Sequence, residues 1–139
     1  VAHLRIDQLR TRTHDGWLLE LTRTHSTLHR NSSQPPLLIV PGYGMNGFIF
    51  GFHPRGTSMT RTLAESGHEV WTLNLRAQRG ARALDPRAEP ASLAAYALSD
   101  LPAAIATVID ATHQRDRRVV LVGCSLGGAL AYAYLVHTP

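Results

Sequence analysis

The sequence predicts an α/β fold, a mostly parallel sheet with flanking helices and an N-terminal antiparallel hairpin. Three observations predict it. Leu37–Val40 and residues 119–122 are short, continuously apolar runs, and 69–73 is strand-like between them, as expected of strands covered on both faces. Helical patterns fall between these runs, and strands alternating with helices call for parallel pairing. Glycine-rich turns stand directly after Val40 and Val122, at strand carboxyl ends, where open α/β sheets carry their sites.

Each element has its own signal. Residues 3–11 alternate polar and apolar, with Leu4 and Ile6 in step and Leu9 out of it. His14-Asp15-Gly16 supplies turn chemistry, and residues 17–24 resume a strand pattern, which closes a hairpin. Polar residues 25–36 end in Gln-Pro-Pro and read as a loop that delivers an extended segment into Leu37–Val40. Gly42, Gly44 and Gly47 follow, then an irregular stretch to Gly56. Thr57 or Ser58 can cap a helix whose apolar positions Met59, Leu63 and Ala64 share a face and which Gly67 ends. Residues 74–90 hold four arginines and two prolines, too long a stretch for a plain connector, so a functional or a disordered loop is expected. Ser99 or Asp100 is expected to cap the next helix, with Pro102 in its first turn and Ile105, Val108 and Ile109 on its buried stripe. The strand 119–122 and an Ala-rich helix from about Leu126 to His137 follow.

Composition narrows the classes. The 139 residues, 44% apolar, fit one domain. No run approaches 18 apolar residues and the N-terminus lacks a signal-like stretch, so no transmembrane segment and a cytoplasmic location are expected. The single cysteine, Cys124, can form neither an intramolecular disulfide nor a thiolate zinc cluster, and reads as a small core residue. The net charge of +4 comes from 14 arginines, no lysine and 10 carboxylates. The arginines are scattered from Arg5 to Arg118 without interleaved aromatic residues, so no nucleic-acid partner is expected. His25 and His29 have the i, i+4 spacing of a metal pair but lack a third ligand, so no metal site is expected. His53 reads as a solvated loop residue and His113 as one favoured by a helix carboxyl end.

Gly123-Cys124-Ser125-Leu126-Gly127-Gly128 matches G-x-S-x-G in the setting that a nucleophile elbow requires, with a strand running in and a helix running out. The turn is tight, so the serine backbone is strained and the elbow glycines Gly123 and Gly127 must stay small. Such a turn lifts the Ser125 hydroxyl clear of the sheet. It also aims the Leu126 N–H, at a helix N-terminus, where an oxyanion would develop. A second donor is expected from the turn Pro41-Gly42-Tyr43, with Gly42 as the turn glycine and the Tyr43 N–H as the donor.

Together these features resemble the α/β-hydrolase superfamily over essentially the whole chain, as the amino-terminal half of that fold. Residues 36–50 (PLLIVPGYGMNGFIF), 63–76 (LAESGHEVWTLNLR) and 100–105 (DLPAAI) are similar to the polyhydroxyalkanoate-synthase-like branch, and 67–76 also resembles acid and gastric lipases. The resemblance implies a carboxylic ester hydrolase of serine esterase or lipase type, with an acyl-enzyme on Ser125, a small apolar ester substrate and no cofactor. Three departures stand out. Pro41-Gly42 replaces a common His-Gly; Asn74-Leu75-Arg76-Ala77-Gln78-Arg79 replaces Asp-x-Arg-Gly-x-Gly, so that only Arg76 carries over; and Ser125 stands where polyhydroxyalkanoate synthases have cysteine, which favours hydrolysis over polymer synthesis.

The superfamily orders its machinery as nucleophile, acid, histidine. Beyond Ser125 this chain has no Asp or Glu and only His137, roughly 18 Å along the emerging helix at 1.5 Å per residue, too far to serve as the base. The resemblance also implies a strand order 1-2-4-3-5-6-7-8, of which this chain supplies strands 1 to 5. The expectation is therefore that residues 1–139 form one partial domain whose partner is the missing carboxy-terminal half. The strand 119–122 would be an exposed apolar edge, and the chain by itself would be inactive. The alternatives are acyl transfer to an alcohol or thiol, and a non-catalytic binding role for a hydrolase fold.

Overall fold

A computed structural model describes residues 3–138. One sheet contains β1 (Leu4–Arg12), β2 (Trp17–Ser26), β3 (Leu37–Val40), β4 (Val70–Asn74), β5 (Arg82–Ala83) and β6 (Val120–Gly123). Its order is β1-β2-β4-β3-β6, with the two-residue β5 paired to the start of β2. With β5 set aside, this is the expected order 1-2-4-3-5. β3 runs parallel to both β4 and β6, while β2 joins β1 and β4 antiparallel.

Alternate residues of each strand feed two apolar layers. On one face Leu19, Leu21, Leu38, Val40, Trp71 and Leu73 are fully buried. They lie beneath a π-helical turn (Tyr96–Asp100), α4 (Leu101–Thr112) and α5 (Leu126–His137), and the solvent-facing α3 (Leu93–Ala95) leads into that turn. On the other face Ile39, Val70, Phe50 and Ala64 pack with α1 (Phe48–Gly51) and α2 (Met59–Glu65). Each Leu, Ile, Val or Phe among them contributes about 1.5–3 kcal/mol on burial.

The hairpin settles the parity that the sequence left ambiguous. Leu9 lies opposite Leu21 and packs on the larger core, whereas Ile6 points out and is 64% exposed. Its turn is closed by Thr13, whose N–H donates to the Trp17 carbonyl at 2.9 Å. Ser58 caps α2 as expected, accepting from the Arg61 N–H at 3.3 Å, and Gly67 leaves that helix at φ +98°.

The third helical segment departs from expectation. It starts at Leu93, capped by Ser92, whose hydroxyl accepts from the Ala95 N–H at 3.0 Å; neither Ser99 nor Asp100 caps it. The chain passes through the π turn into α4, so Pro102 stands just after an already widened turn and does not end the helix. The continuous run Leu93–Thr112, at a mean hydropathy of 1.3, is long and apolar enough to cross a membrane. Here Ala97, Leu101, Ala104 and Val108 turn that apolar side onto the sheet, and the same run carries the buried Asp100.

Residues 74–90 are ordered. β5 pairs with Trp17 and Leu18, the Leu84 N–H donates to the Gly16 carbonyl at 2.8 Å, and the Trp17 indole donates to the Glu89 carbonyl at 2.8 Å. At the opposite end of the sheet β6 pairs only with β3 among the described residues, and Val120 is 42% exposed. Among the described residues this strand is thus the open apolar edge that the sequence leads one to expect.

Candidate active site

Ser125 stands between β6 and α5 with φ 54° and ψ −114°, a positive φ that a residue with a Cβ adopts only at a cost of roughly 1–3 kcal/mol. Neighbouring glycines permit the bend that imposes it. A Cβ at Gly123 would overlap the Gly128 N and Cα and lie 2.7 Å from the Gly127 carbonyl carbon. A Cβ at Gly127 would overlap the Val40 carbonyl oxygen and lie 2.9 Å from that of Pro41. Strand and helix therefore touch through bare backbone, and the helix start rests on the turn that leaves β3. Gly42 completes the contact, since a Cβ there would lie 3.0 Å from the Cys124 carbonyl oxygen.

Both glycine turns therefore lie together at the carboxyl ends of the adjacent parallel strands β3 and β6. The Cys124 N–H donates to the Val40 carbonyl at 3.0 Å and continues the strand pairing into the turn. Ser125 is exposed, whereas Cys124 packs toward Ile39, Phe50, Ala64 and Val70, as its reading as a core residue requires. Among the described residues neither the Tyr43 N–H nor the Leu126 N–H donates a hydrogen bond. The first N–H groups of α5 also bear the positive end of the helix dipole. The arrangement can thus present a hydroxyl and two unengaged backbone donors at one edge of the sheet.

The Tyr43 ring is 86% exposed. Beyond it the chain turns through Met45, whose N–H donates to the Gly42 carbonyl at 3.2 Å, into α1. There Phe48 and Phe52 stack with ring centroids 5.2 Å apart, and both remain half exposed beside Ile49.

The other candidates lie elsewhere. His137 is at the far end of α5, its Nδ1 2.8 Å from the Ala133 carbonyl. His53 is exposed in the loop after α1, its Nδ1 accepting the Arg55 N–H at 3.1 Å, and His113 is at the carboxyl end of α4 with φ 51°. Among the described residues no group of three or more His, Cys, Asp or Glu side chains could hold a metal ion, His25 and His29 included.

Sequence reasoning missed a charged cluster under the 74–90 loop. Arg76 is fully buried. Its guanidinium donates to Asp100 at 2.8 and 2.9 Å, to Asp15 at 2.7 and 2.9 Å and to the Glu89 carbonyl at 2.8 Å. Its backbone N–H also reaches Asp100 at 2.8 Å. The Arg76 hydrogen bond holds the Asp15 carboxyl down at about 2. Burial pushes Asp100 up, against the hydrogen bonds from Arg76 that pull it down. For Arg76 the two carboxylates outweigh burial and raise the guanidinium further. The signal available was an arginine two residues beyond an apolar strand, separated from it only by Leu75, where a lone cation requires a partner.

A model of the alpha/beta hydrolase family matches residues 37–138, which spans both glycine turns. The chain belongs to that family. A triacylglycerol lipase of Arabidopsis thaliana is 36% identical over 67 residues, covering 48% of this chain and 17% of the lipase. The Pyrococcus furiosus esterase Pf2001 superposes with a TM-score of 0.71 at 15% identity, over 97% of this chain and 48% of that one. An alpha/beta hydrolase from Novosphingobium aromaticivorans superposes with a TM-score of 0.68 at 22% identity, over 96% of this chain and 40% of that one. These structures share the fold, and this family member spans less than half of their length.

Proposed function

We propose that Ser125 is the nucleophile of a serine ester hydrolase and that the Leu126 and Tyr43 N–H groups hold the oxyanion. The observation that carries the reading is the strained Ser125 backbone between β6 and α5, pressed by bare glycine backbone against the turn after β3. The Ser125 Oγ attacks the ester carbonyl carbon as a base takes its proton. The negative charge moves to the carbonyl oxygen, and the alcohol leaves with a proton. Water then attacks the acyl-enzyme and releases the acid. Each backbone donor aimed at the oxyanion is worth about 10²–10³ in rate.

This reading assigns neither base nor acid among the described residues, because those after Ser125 offer only His137, engaged with its own helix. The chain by itself is then inactive, and esterase turnover by the 139-residue chain would overturn that part. The exposed Phe48, Ile49 and Phe52 beside the donor turn support an apolar acyl group. The test is fluorophosphonate labelling of the intact gene product. The parent should be labelled and Ser125→Ala should not; equal labelling of the two would sink the assignment.

A further inference from the structure

The loop that carries Tyr43 is fastened to the sheet and elbow at both ends, with the Met45 N–H to Gly42 carbonyl bond at 3.2 Å internal to it. At its start Gly42 rests against the Cys124 carbonyl and Pro41 against Gly127. At its end the Gly47 N–H donates to the Asn74 Oδ1 at 2.7 Å. Gly47 also sits so close to β4 that a Cβ would lie 2.8 Å from the Thr72 hydroxyl and 3.3 Å from the Asn74 Oδ1. Between these anchors Tyr43 is exposed, and Gly44, at φ +68°, has nothing within 4 Å of where a Cβ would stand.

Asn74 is itself held firmly. It is buried at the end of β4, and its Nδ2 donates to the Arg79 carbonyl at 2.8 Å and to the Glu20 carboxylate at 3.4 Å. The side chain therefore needs an acceptor on one side and a donor on the other, which a primary amide supplies. A buried amide satisfied on both sides is a stiff post.

Resting on the assignment of Ser125 and the Tyr43 donor above, we infer that Asn74 is a positioning residue for that donor. It pins Gly47 to β4 and so sets where the Tyr43 N–H stands relative to Leu126. A preorganised donor stabilises an oxyanion only while it is held at the place where the charge forms. Releasing the loop therefore slows the chemical step and leaves ground-state binding of the ester unchanged.

The test uses the intact gene product with a short-chain p-nitrophenyl ester as probe. Asn74→Leu removes all three side-chain hydrogen bonds, to Gly47, Arg79 and Glu20, at similar volume. It should lower kcat at least ten-fold with KM within two-fold, and lower the rate of fluorophosphonate labelling in step. Asn74→Asp combined with Glu20→Gln keeps the acceptor for the Gly47 N–H without setting two carboxylates together, and should retain more kcat than Asn74→Leu; a kcat no higher than that of Asn74→Leu would count against the role of the Gly47 hydrogen bond. A kcat for Asn74→Leu within two-fold of the parent, per folded molecule, overturns the inference, as does a rise in KM at constant kcat. If Asn74→Leu fails to fold, Asn74→Gln, one methylene longer, takes its place with the same expectation and the same refuting result. Ser125→Ala run beside them separates the two levels. Activity retained by Ser125→Ala removes the underlying assignment, whereas an inactive Ser125→Ala with unaffected Asn74 variants removes only the role of Asn74.

Discussion

Adding a single methyl group at position 127 should damage this protein where adding one at position 128 should not. In Gly127→Ala the new Cβ would overlap the Val40 carbonyl oxygen and lie 2.8 Å from the Val40 carbonyl carbon and 2.9 Å from the Pro41 oxygen, all inside the 3.0 Å limit that real Cβ atoms keep. All three obstacles are backbone atoms of β3 and its turn, so no side chain can swing away. Overpacking of this kind costs about 1–3 kcal/mol, and the better helix propensity of Ala returns up to about 1 kcal/mol in α5. With three backbone clashes the net expectation is about 2 kcal/mol of lost stability. At Gly128 the nearest atom to a Cβ is the Gly123 carbonyl oxygen at 3.8 Å, an ordinary contact, so Gly128→Ala should be neutral or stabilising by up to about 1 kcal/mol. Urea denaturation of the intact protein, followed by tryptophan fluorescence, measures both. The clash also pushes the turn after β3 away from α5, so kcat of Gly127→Ala should fall by more than its folded fraction. Equal stability of the two variants would refute the claim that strand, turn and helix meet here through bare backbone.

Arg76→Leu leaves the fully buried Asp100 carboxyl without a partner and should cost about 3–5 kcal/mol in the same denaturation assay; a loss below 1 kcal/mol would mean that the cluster is solvated. Asp15 is held at about 2 against an ordinary 3.8, so its contribution is complete above pH 3.8 and disappears as pH falls from there through 2. Discounted for its partial exposure, that contribution is about 1–2 kcal/mol. Asp15→Asn should thus be less stable than the parent at pH 6, with the gap closing below about pH 2; a pH-independent gap would contradict the Arg76 pairing. His137→Gln should leave kcat of the intact protein within two-fold, and a ten-fold loss would bring that histidine back as a candidate base.

The parts of this protein legible in the sequence are those whose cause lies within a few residues. The glycine spacing around Ser125, the hairpin turn at Gly16, the cap at Ser58 and the apolar runs of β3 and β6 are local, and each lies within a residue or two of where the pattern placed it. What failed turned on distant partners. Asp100 and Ser92 are equally good caps by local chemistry, but Asp100 is taken by Arg76, 24 residues away in the chain, and the helix begins at Leu93. The same arginine reaches Asp15 across 61 residues and anchors a segment that composition alone left open to disorder. Whether Ile6 or Leu9 faces inward was decided by Leu21 on the facing strand, not by either residue. At the candidate site the serine and its glycines were readable because a tight turn writes its steric demands into adjacent positions. The contact of Gly127 with Val40 and the hold of Asn74 on Gly47 were not, because buried backbone and a buried amide find their partners only once separate strands have packed into one sheet.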